Sequence, residues 1–273
     1  MTKTTISVGC IGGSGSRVVA RILKSCGYFI GEDLNEEMDN LWFTLLFKRL
    51  SVLVEELDRI KFLYANFYHR MRYGDLPSHE IKDILANLSV RDRIVHDPDW
   101  LAARMRSFLN ERGGAVDKMA WKEPNTHIVV DRLLTIDPDL RYIHITRSGL
   151  DMAYSANLNQ LLLWGATFLD RPVVLGPRDA LSYWVAVEQR MRRLQKSYPG
   201  RILIVSYEEL AFRPKDVVAE ILHFCGESDM IRAADAAEIV IPAGSIGRHK
   251  SQDLGALLQQ DVDYAKAIAA RSV

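Results

Sequence analysis

Five consecutive small residues, Gly12-Gly13-Ser14-Gly15-Ser16, follow the apolar run Thr5–Ile11 and precede the basic Arg17. Such a segment projects only backbone N–H groups and short hydroxyls, so an anion can approach the chain closely. Where it opens a helix, the positive end of the helix dipole adds to the attraction. The chemistry predicted is anion binding. The segment departs from three familiar patterns. A P-loop of the form G-x-x-x-x-G-K-[ST] would place Gly five residues after Gly9, where Ser14 stands, and Lys before Ser16, which argues against nucleoside triphosphate hydrolysis. A dinucleotide fingerprint begun at Gly13 and Gly15 ends on Val18, although Glu32 and Asp33 lie about where a ribose-binding acid would sit. A nucleophile elbow G-x-S-x-G ends on Ser16 instead of Gly.

The stretch YIHITRSGLDMAYSANL repeats the architecture: a strand over Tyr142–Thr146, a polar turn starting at Arg147, and a helix over Asp151–Leu163 with Ser155 in its early turn. Arg at a strand's carboxyl end grips phosphate through a charge-assisted fork, and a nearby hydroxyl adds a further bond. Two such turns in one sheet predict a ligand with two separated phosphates lying across the strand ends.

The elements that must position these turns read as an α/β protein with a mainly parallel central sheet flanked by helices. Strands are predicted at Thr5–Ile11, Met119–Trp121, Tyr142–Thr146 and Ile202–Ser206, and helices at Ser16–Cys26, Thr126–Leu134, Asp151–Leu163 and Pro214–Phe224. A long helical insertion, residues 35–112, follows the first strand–helix unit, with helical sequence at Asn35–Arg72 and Pro98–Arg112. Its Trp42, Phe43, Tyr64, Tyr68, Arg70 and Arg72 suit either a sugar stacked on aromatic rings or ordinary core packing. A loop over Pro242–Leu254 can fold back over a site. No long linker or repeat divides the 273 residues, so one domain is expected.

Thirty-five basic residues balance 35 acidic ones, giving no field that would recruit nucleic acid or a membrane surface; any anion site must be local. Cys10, Cys26 and Cys225 are widely spaced in apolar surroundings, which fits buried thiols in a reducing compartment. No apolar run reaches the roughly 18 residues of a membrane span, and a cytoplasmic location is expected. No metal constellation is evident: HEIKD at His79 lacks the second His of a zinc helix.

Taken in order, these motifs resemble the sulfotransferase family that uses 3′-phosphoadenosine 5′-phosphosulfate (PAPS). In that family a strand–loop–helix near the N-terminus holds the 5′-phosphosulfate, and an Arg followed eight residues later by a Ser holds the 3′-phosphate. Arg147 and Ser155 have that spacing. The segment RILIVSYEELAFRPKDVVAEILHFCG is similar to the family's late strand, Tyr-acidic-acidic-Leu turn and following helix. The resemblance runs from residue 6 to about 250 and implies a P-loop-like sulfotransferase architecture, with PAPS as co-substrate, no metal, and a small-molecule or carbohydrate acceptor offering a hydroxyl or amine. Members often pair, so a homodimer is compatible with it.

The resemblance implies nucleotide contacts from Gly12, Gly13, Ser14, Gly15, Ser16 and Arg17, from Arg147 and Ser155, from Tyr207 near the adenosine, and from Arg248 and Lys250 in the basic loop. Many members carry Lys or Arg where this chain has Gly13. That departure leaves either a catalytically silent nucleotide-binding protein or an enzyme with its cation elsewhere, Lys122 of WKEPNTH being preferred to Arg17. Sulfonyl transfer needs no metal if cations stabilise the leaving phosphate and a base takes the acceptor proton. Glu32 is the first choice of base, followed by His127 and Glu123, with Asp33 beside Glu32 as an alternative.

Overall fold

The computed structural model describes residues 4–88, 95–110 and 114–270. Four strands, β1 (Thr5–Cys10), β2 (Met119–Lys122), β3 (Leu140–Thr146) and β4 (Ile202–Ser206), form one parallel sheet in the order β2-β1-β3-β4. Ser7 of β1 lies opposite Trp121 and Tyr142, so β1 and β3 are the inner strands and their carboxyl ends emerge side by side. All six β1 residues are buried, as expected of a parallel strand covered on both faces.

Alternation along the strands sorts their side chains onto the two faces. Ile6, Val8, Ala120, Ile143 and Ile145 pack with α1 (Ser16–Ser25). Met119, Trp121, Leu140 and Tyr142 face the helical insertion, which holds α2 (Leu41–Phe47), α3 (Leu57–Arg72), α4 (Ile81–Leu88) and α5 (Pro98–Leu109). The insertion's aromatics are core. Phe43 stacks on Trp121 with centroids 5.7 Å apart, and Phe67 meets Trp121 edge-on at 5.2 Å. Arg70 and Arg72 are buried with their guanidinium groups spent on backbone carbonyls, Phe108 at 2.9 Å for Arg70 and Val116 at 3.0 Å for Arg72. Of the two readings offered for this group, the structure shows the core packing: Trp42, Phe43 and Tyr64 are buried, Tyr68 packs against them, and the Nη groups of Arg70 and Arg72 bond to backbone carbonyls.

The rest of the chain supplies α6 (Thr126–Ile136), α7 (Gly149–Ala153), α8 (Asn159–Leu169), α9 (Pro177–Ser197), α10 (Tyr207–Phe212), α11 (Pro214–Phe224), α12 (Met230–Ala237) and α13 (Gln259–Ala269). The helix expected over Asp151–Leu163 is two helices, and Ser155 sits in the turn between them. Side-chain bonds cause the break: Ser155 Oγ accepts from Asn157 N at 3.2 Å, and Asn157 Oδ1 accepts from Asn159 N at 3.3 Å, competing with helical bonding. The 21-residue α9 has no counterpart among the expected helices; Pro177 stands at its start, where the missing N–H costs nothing. Among the described residues no helix is long and apolar enough to cross a membrane.

Candidate nucleotide site

The turn after β1 is shaped by glycine. Gly13 and Gly15 have φ of +95° and +87°, and Gly15 caps α1 in the left-handed region that side chains disfavour. A Cβ on Gly15 would stand 2.3 Å from the Tyr207 ring, and one on Gly12 would stand 2.9 Å from Asn157 Nδ2. The turn is therefore packed between the start of α10 and the α7–α8 connection. At the N-terminus of α1, Val18 N donates to Gly15 O at 3.0 Å, and the N–H groups before it have no carbonyl of the helix to bond.

The hydroxyl contributions differ from expectation. Ser14 is almost fully buried, with Oγ against Met152 Sδ, and Ser16 Oγ accepts from the Cys10 thiol at 3.1 Å. Gly12 N donates to Gln160 Oε1 at 3.1 Å. Ser14 is thus turned inward, and the Gly12 N–H is already engaged; close approach and the α1 terminus, more than hydroxyls, characterise the cradle.

Beside the turn lies a cavity of about 550 Å³, within the usual range for ligand sites. Four cations line it, Arg17, Arg21, Lys122 and Arg147, against the carboxylates of Glu37 and Asp39. The local balance is positive although the whole chain is neutral. Lys122 Nζ donates to the Asp39 carboxylate and, at 3.0 Å, to the Glu37 carbonyl, while Arg17 pairs with the Glu37 carboxylate at 2.9 Å.

Arg147, at the end of β3, is 4% exposed. Its Nη1 donates to Gly13 O at 3.2 Å and its Nη2 to Ser245 Oγ at 2.9 Å, while Nε is buried without a partner. The guanidinium lies over the Tyr207 ring, 5.1 Å from its centroid, and Tyr207 Oη accepts from Ala243 N at 3.0 Å. Ser155 approaches the same place: its Oγ is 3.4 Å from where a Gly13 Cβ would be. The two turns thus meet at Gly13, although Ser155 reaches it from a connection and not from a helix.

Asp151 of α7 fastens the predicted loop. Its carboxylate accepts from Gly247 N at 2.7 Å and His249 N at 3.1 Å, and pairs with His249 Nδ1 at 2.6 Å. Burial pushes this carboxyl up, but the bonds from His249 and Gly247 outweigh burial and hold it below its usual range. Arg248 donates to Ser245 O at 3.4 Å, and burial together with the neighbouring Arg147 charge lowers its pKa. Neither Arg248 nor Lys250 lines the 550 Å³ cavity; Lys250 lines an adjoining one.

The three ranked base residues lie elsewhere. Glu32 is 3.6 Å from Arg70 Nη2 and Asp33 is 2.9 Å from Arg104 Nη1, both outside the lining of the cavity. His127 is fully buried. A neutral ring with its proton on Nδ1 donates to Pro124 O at 2.8 Å and accepts from Tyr183 Oη at 3.2 Å, and burial pushes its pKa down to about 3. Glu123 is also buried; its carboxylate accepts from Asn125 N at 2.6 Å and Asn125 Nδ2 at 2.8 Å, and burial raises its pKa. His127 and Glu123 hold the β2–α6 turn together, and a group sealed behind that turn cannot reach an acceptor.

Sequence reasoning missed Glu37, Asp39, Arg21 and Asn157. A signal for Asp39 existed in NEEMDN: Asn35 Oδ1 accepts from Asp39 N at 2.8 Å and Asn35 Nδ2 donates to its Oδ2 at 3.0 Å, a local turn just before Asn40 caps α2.

In fold the chain is similar to the sulfotransferase domain from the curacin biosynthetic pathway, at 10% identity and TM-score 0.51 over 99% of this chain and 98% of that one. It is also similar to the sulfotransferase domain from the Synechococcus PCC 7002 olefin synthase, at 16% identity and TM-score 0.50 over 97% and 94%. No curated protein matches the sequence significantly. A family model described as "Sulfotransferase family" matches residues 8–230, a span that includes the glycine turn, Lys122, Arg147 and Tyr207. The chain belongs to the sulfotransferase family.

Proposed function

We propose that the protein transfers a sulfonate group from PAPS to a hydroxyl or amine of an acceptor, with the nucleotide in the cavity between the glycine turn and Arg147. The observation that carries this reading is the meeting of the two turns at Gly13: the buried guanidinium of Arg147 bonds to Gly13 O and keeps an unpartnered Nε, next to a helix N-terminus whose glycines admit a close anion. One phosphate group suits the α1 terminus, and a second suits Arg147 and Ser155. Tyr207, held by Ala243 N and stacked under Arg147, supplies an aromatic wall for a base.

Lys122 takes the role of the missing cation. A side chain at position 13 would have to adopt φ of +95°, so a Lys or Arg there is disfavoured, whereas Lys122 emerges from the adjacent strand into the cavity. Lys122 stabilises the charge that builds on the leaving phosphate as its bond to sulfur breaks and the acceptor's bond to sulfur forms. Asp39, beside Lys122, replaces Glu32 as the carboxylate that receives the acceptor proton and also aims the ammonium. The helical insertion forms the acceptor side, since Glu37 and Asp39 near its start supply this wall of the cavity.

Transfer of radiolabelled sulfonate from PAPS to a panel of phenols, alcohols, amines and sugars tests the reading. Transfer by the wild type that is lost in Lys122→Ala while nucleotide binding persists supports it. Tight nucleotide binding with no transfer to any acceptor supports the catalytically silent alternative that Gly13 motivates.

A further inference from the structure

A second cavity, of about 260 Å³, lies behind Arg147 on the face of the sheet opposite α1. Trp184 of α9, Ala265 and Ile268 of α13, and Ile246 of the 242–254 loop form its apolar walls. Its polar groups gather at one side. Two of its carboxylates are already engaged: Asp151 with His249 and Gly247, and Glu208 with Ser148 N at 3.0 Å and Ser206 Oγ at 3.3 Å. Of the cations, Arg147 spends Nη1 on Gly13 O and Nη2 on Ser245 Oγ but keeps an unpartnered, buried Nε, and Lys250 is exposed at the rim.

An apolar chamber with a few convergent polar groups is the ordinary form of a small-molecule site, and this volume admits one or two rings. We propose that this cavity binds a small amphipathic anion, an aromatic or branched aliphatic carboxylate or sulfonate, and that its occupancy weakens binding of the 3′-phosphorylated nucleotide. The ring or branched chain lies against Trp184, Ala265 and Ile268, and the anionic end lies toward Arg147 and Lys250. Coupling follows from shared parts. Arg147 lines both cavities, and the loop that carries Ser245, which Arg147 holds, also lines this one through Ile246, Gly247 and His249. Two anions on opposite sides of one guanidinium repel each other and compete for its charge. The coupling rests on the reading of Arg147 given under Proposed function; binding to the cavity does not.

The test is calorimetric titration of the full chain with sodium benzoate, alone and with saturating 3′-phosphoadenosine 5′-phosphate (PAP). Benzoate is expected to bind one site, more weakly in Lys250→Met, and not at all in Ala265→Phe, whose ring fills the chamber. Ala265→Leu, a gentler filling, is expected to weaken benzoate at least fivefold. Saturating benzoate should raise the PAP Kd at least threefold in the wild type, PAP should raise the benzoate Kd by the same factor, and Ala265→Phe should bind PAP as the wild type does without benzoate. Absence of benzoate binding to the wild type, or wild-type benzoate affinity in both Ala265 variants, overturns the site. Benzyl alcohol binding as tightly as benzoate overturns the anion preference, and complete mutual exclusion of benzoate and PAP moves benzoate into the nucleotide cavity. If wild-type protein binds no PAP, the nucleotide reading and the coupling fail together, while benzoate and the Ala265 variants still decide the cavity.

Discussion

Replacing Gly15 by Ala separates two consequences of one methyl group. The first is backbone strain: at φ of +87° an L-residue costs roughly 1–2 kcal/mol. The second is collision, since the new Cβ would stand 2.3 Å from Tyr207 Cδ2, where ordinary contacts begin near 3.4 Å, so the ring must retreat by about an ångström. Tyr207 is not free to do so, being held by Ala243 N at 3.0 Å and covered by the Arg147 guanidinium. Gly27→Ala is the control. Gly27 has φ of +84° and open space where its Cβ would be, so it carries the strain without the collision. Both variants should lose stability, Gly27→Ala by about 1–2 kcal/mol, which for a chain this size lowers Tm by roughly 2–8 °C. Only Gly15→Ala should lose PAP affinity, by at least about tenfold, or ~1.4 kcal/mol, because the displaced ring intrudes on the cavity. Calorimetric titration with PAP and thermal unfolding of both variants make the comparison. Wild-type PAP affinity in Gly15→Ala, or an equal loss in Gly27→Ala, refutes the assignment of Tyr207 and the glycine turn to one site.

Three further outcomes are expected. Arg147→Ala removes the charge-assisted bonds proposed for the 3′-phosphate, each worth about 1.5–3 kcal/mol, and PAP affinity should fall roughly 10- to 100-fold by titration, with ADP much less affected. Lys122→Ala and Asp39→Asn should each lower turnover with PAPS more than PAP affinity; equal losses in both measurements would make them binding residues instead. His127 has a folded pKa near 3 against the usual 6.5, so the unfolded chain takes up a proton that the folded one refuses. Its contribution to stability is complete above about pH 6.5 and is lost as pH falls toward 3, by up to about 1.4 kcal/mol per pH unit; urea unfolding across that range should show a shallower slope in His127→Gln.

The four strands were legible because each is a short apolar run ended by a turn, and the structure places their ends within two residues of the sequence reading. The positions of the glycine turn and Arg147 at neighbouring strand ends were legible for a related reason: five small residues after one apolar run, and an Arg directly after another, stand out in the sequence itself. The carboxylates were not. Glu32 and Asp33 were favoured by order along the chain, yet Glu32 pairs with Arg70 and Asp33 with Arg104, partners separated from them by 38 and 71 positions, whereas Asp39 enters the cavity through its pairing with Lys122, 83 positions away. His127 looked available in WKEPNTH, but burial depends on α9, which brings Tyr183 against it. Side-chain breaks, such as the Ser155–Asn157 turn inside an apolar helical pattern, also escape periodicity, because hydrogen bonds and not hydrophobicity decide them.

The central claim is that the cavity is built for a nucleotide with two separated phosphate groups, one of them read by Arg147. Titration of the wild type with PAP and with ADP, each with and without magnesium, tests it most directly, because the two ligands differ at the 3′-phosphate. The account predicts that PAP binds at least ten times tighter than ADP, a gap of about 1.4 kcal/mol, with no need for magnesium. ADP binding as tightly as PAP, or tighter once magnesium is added, would contradict it.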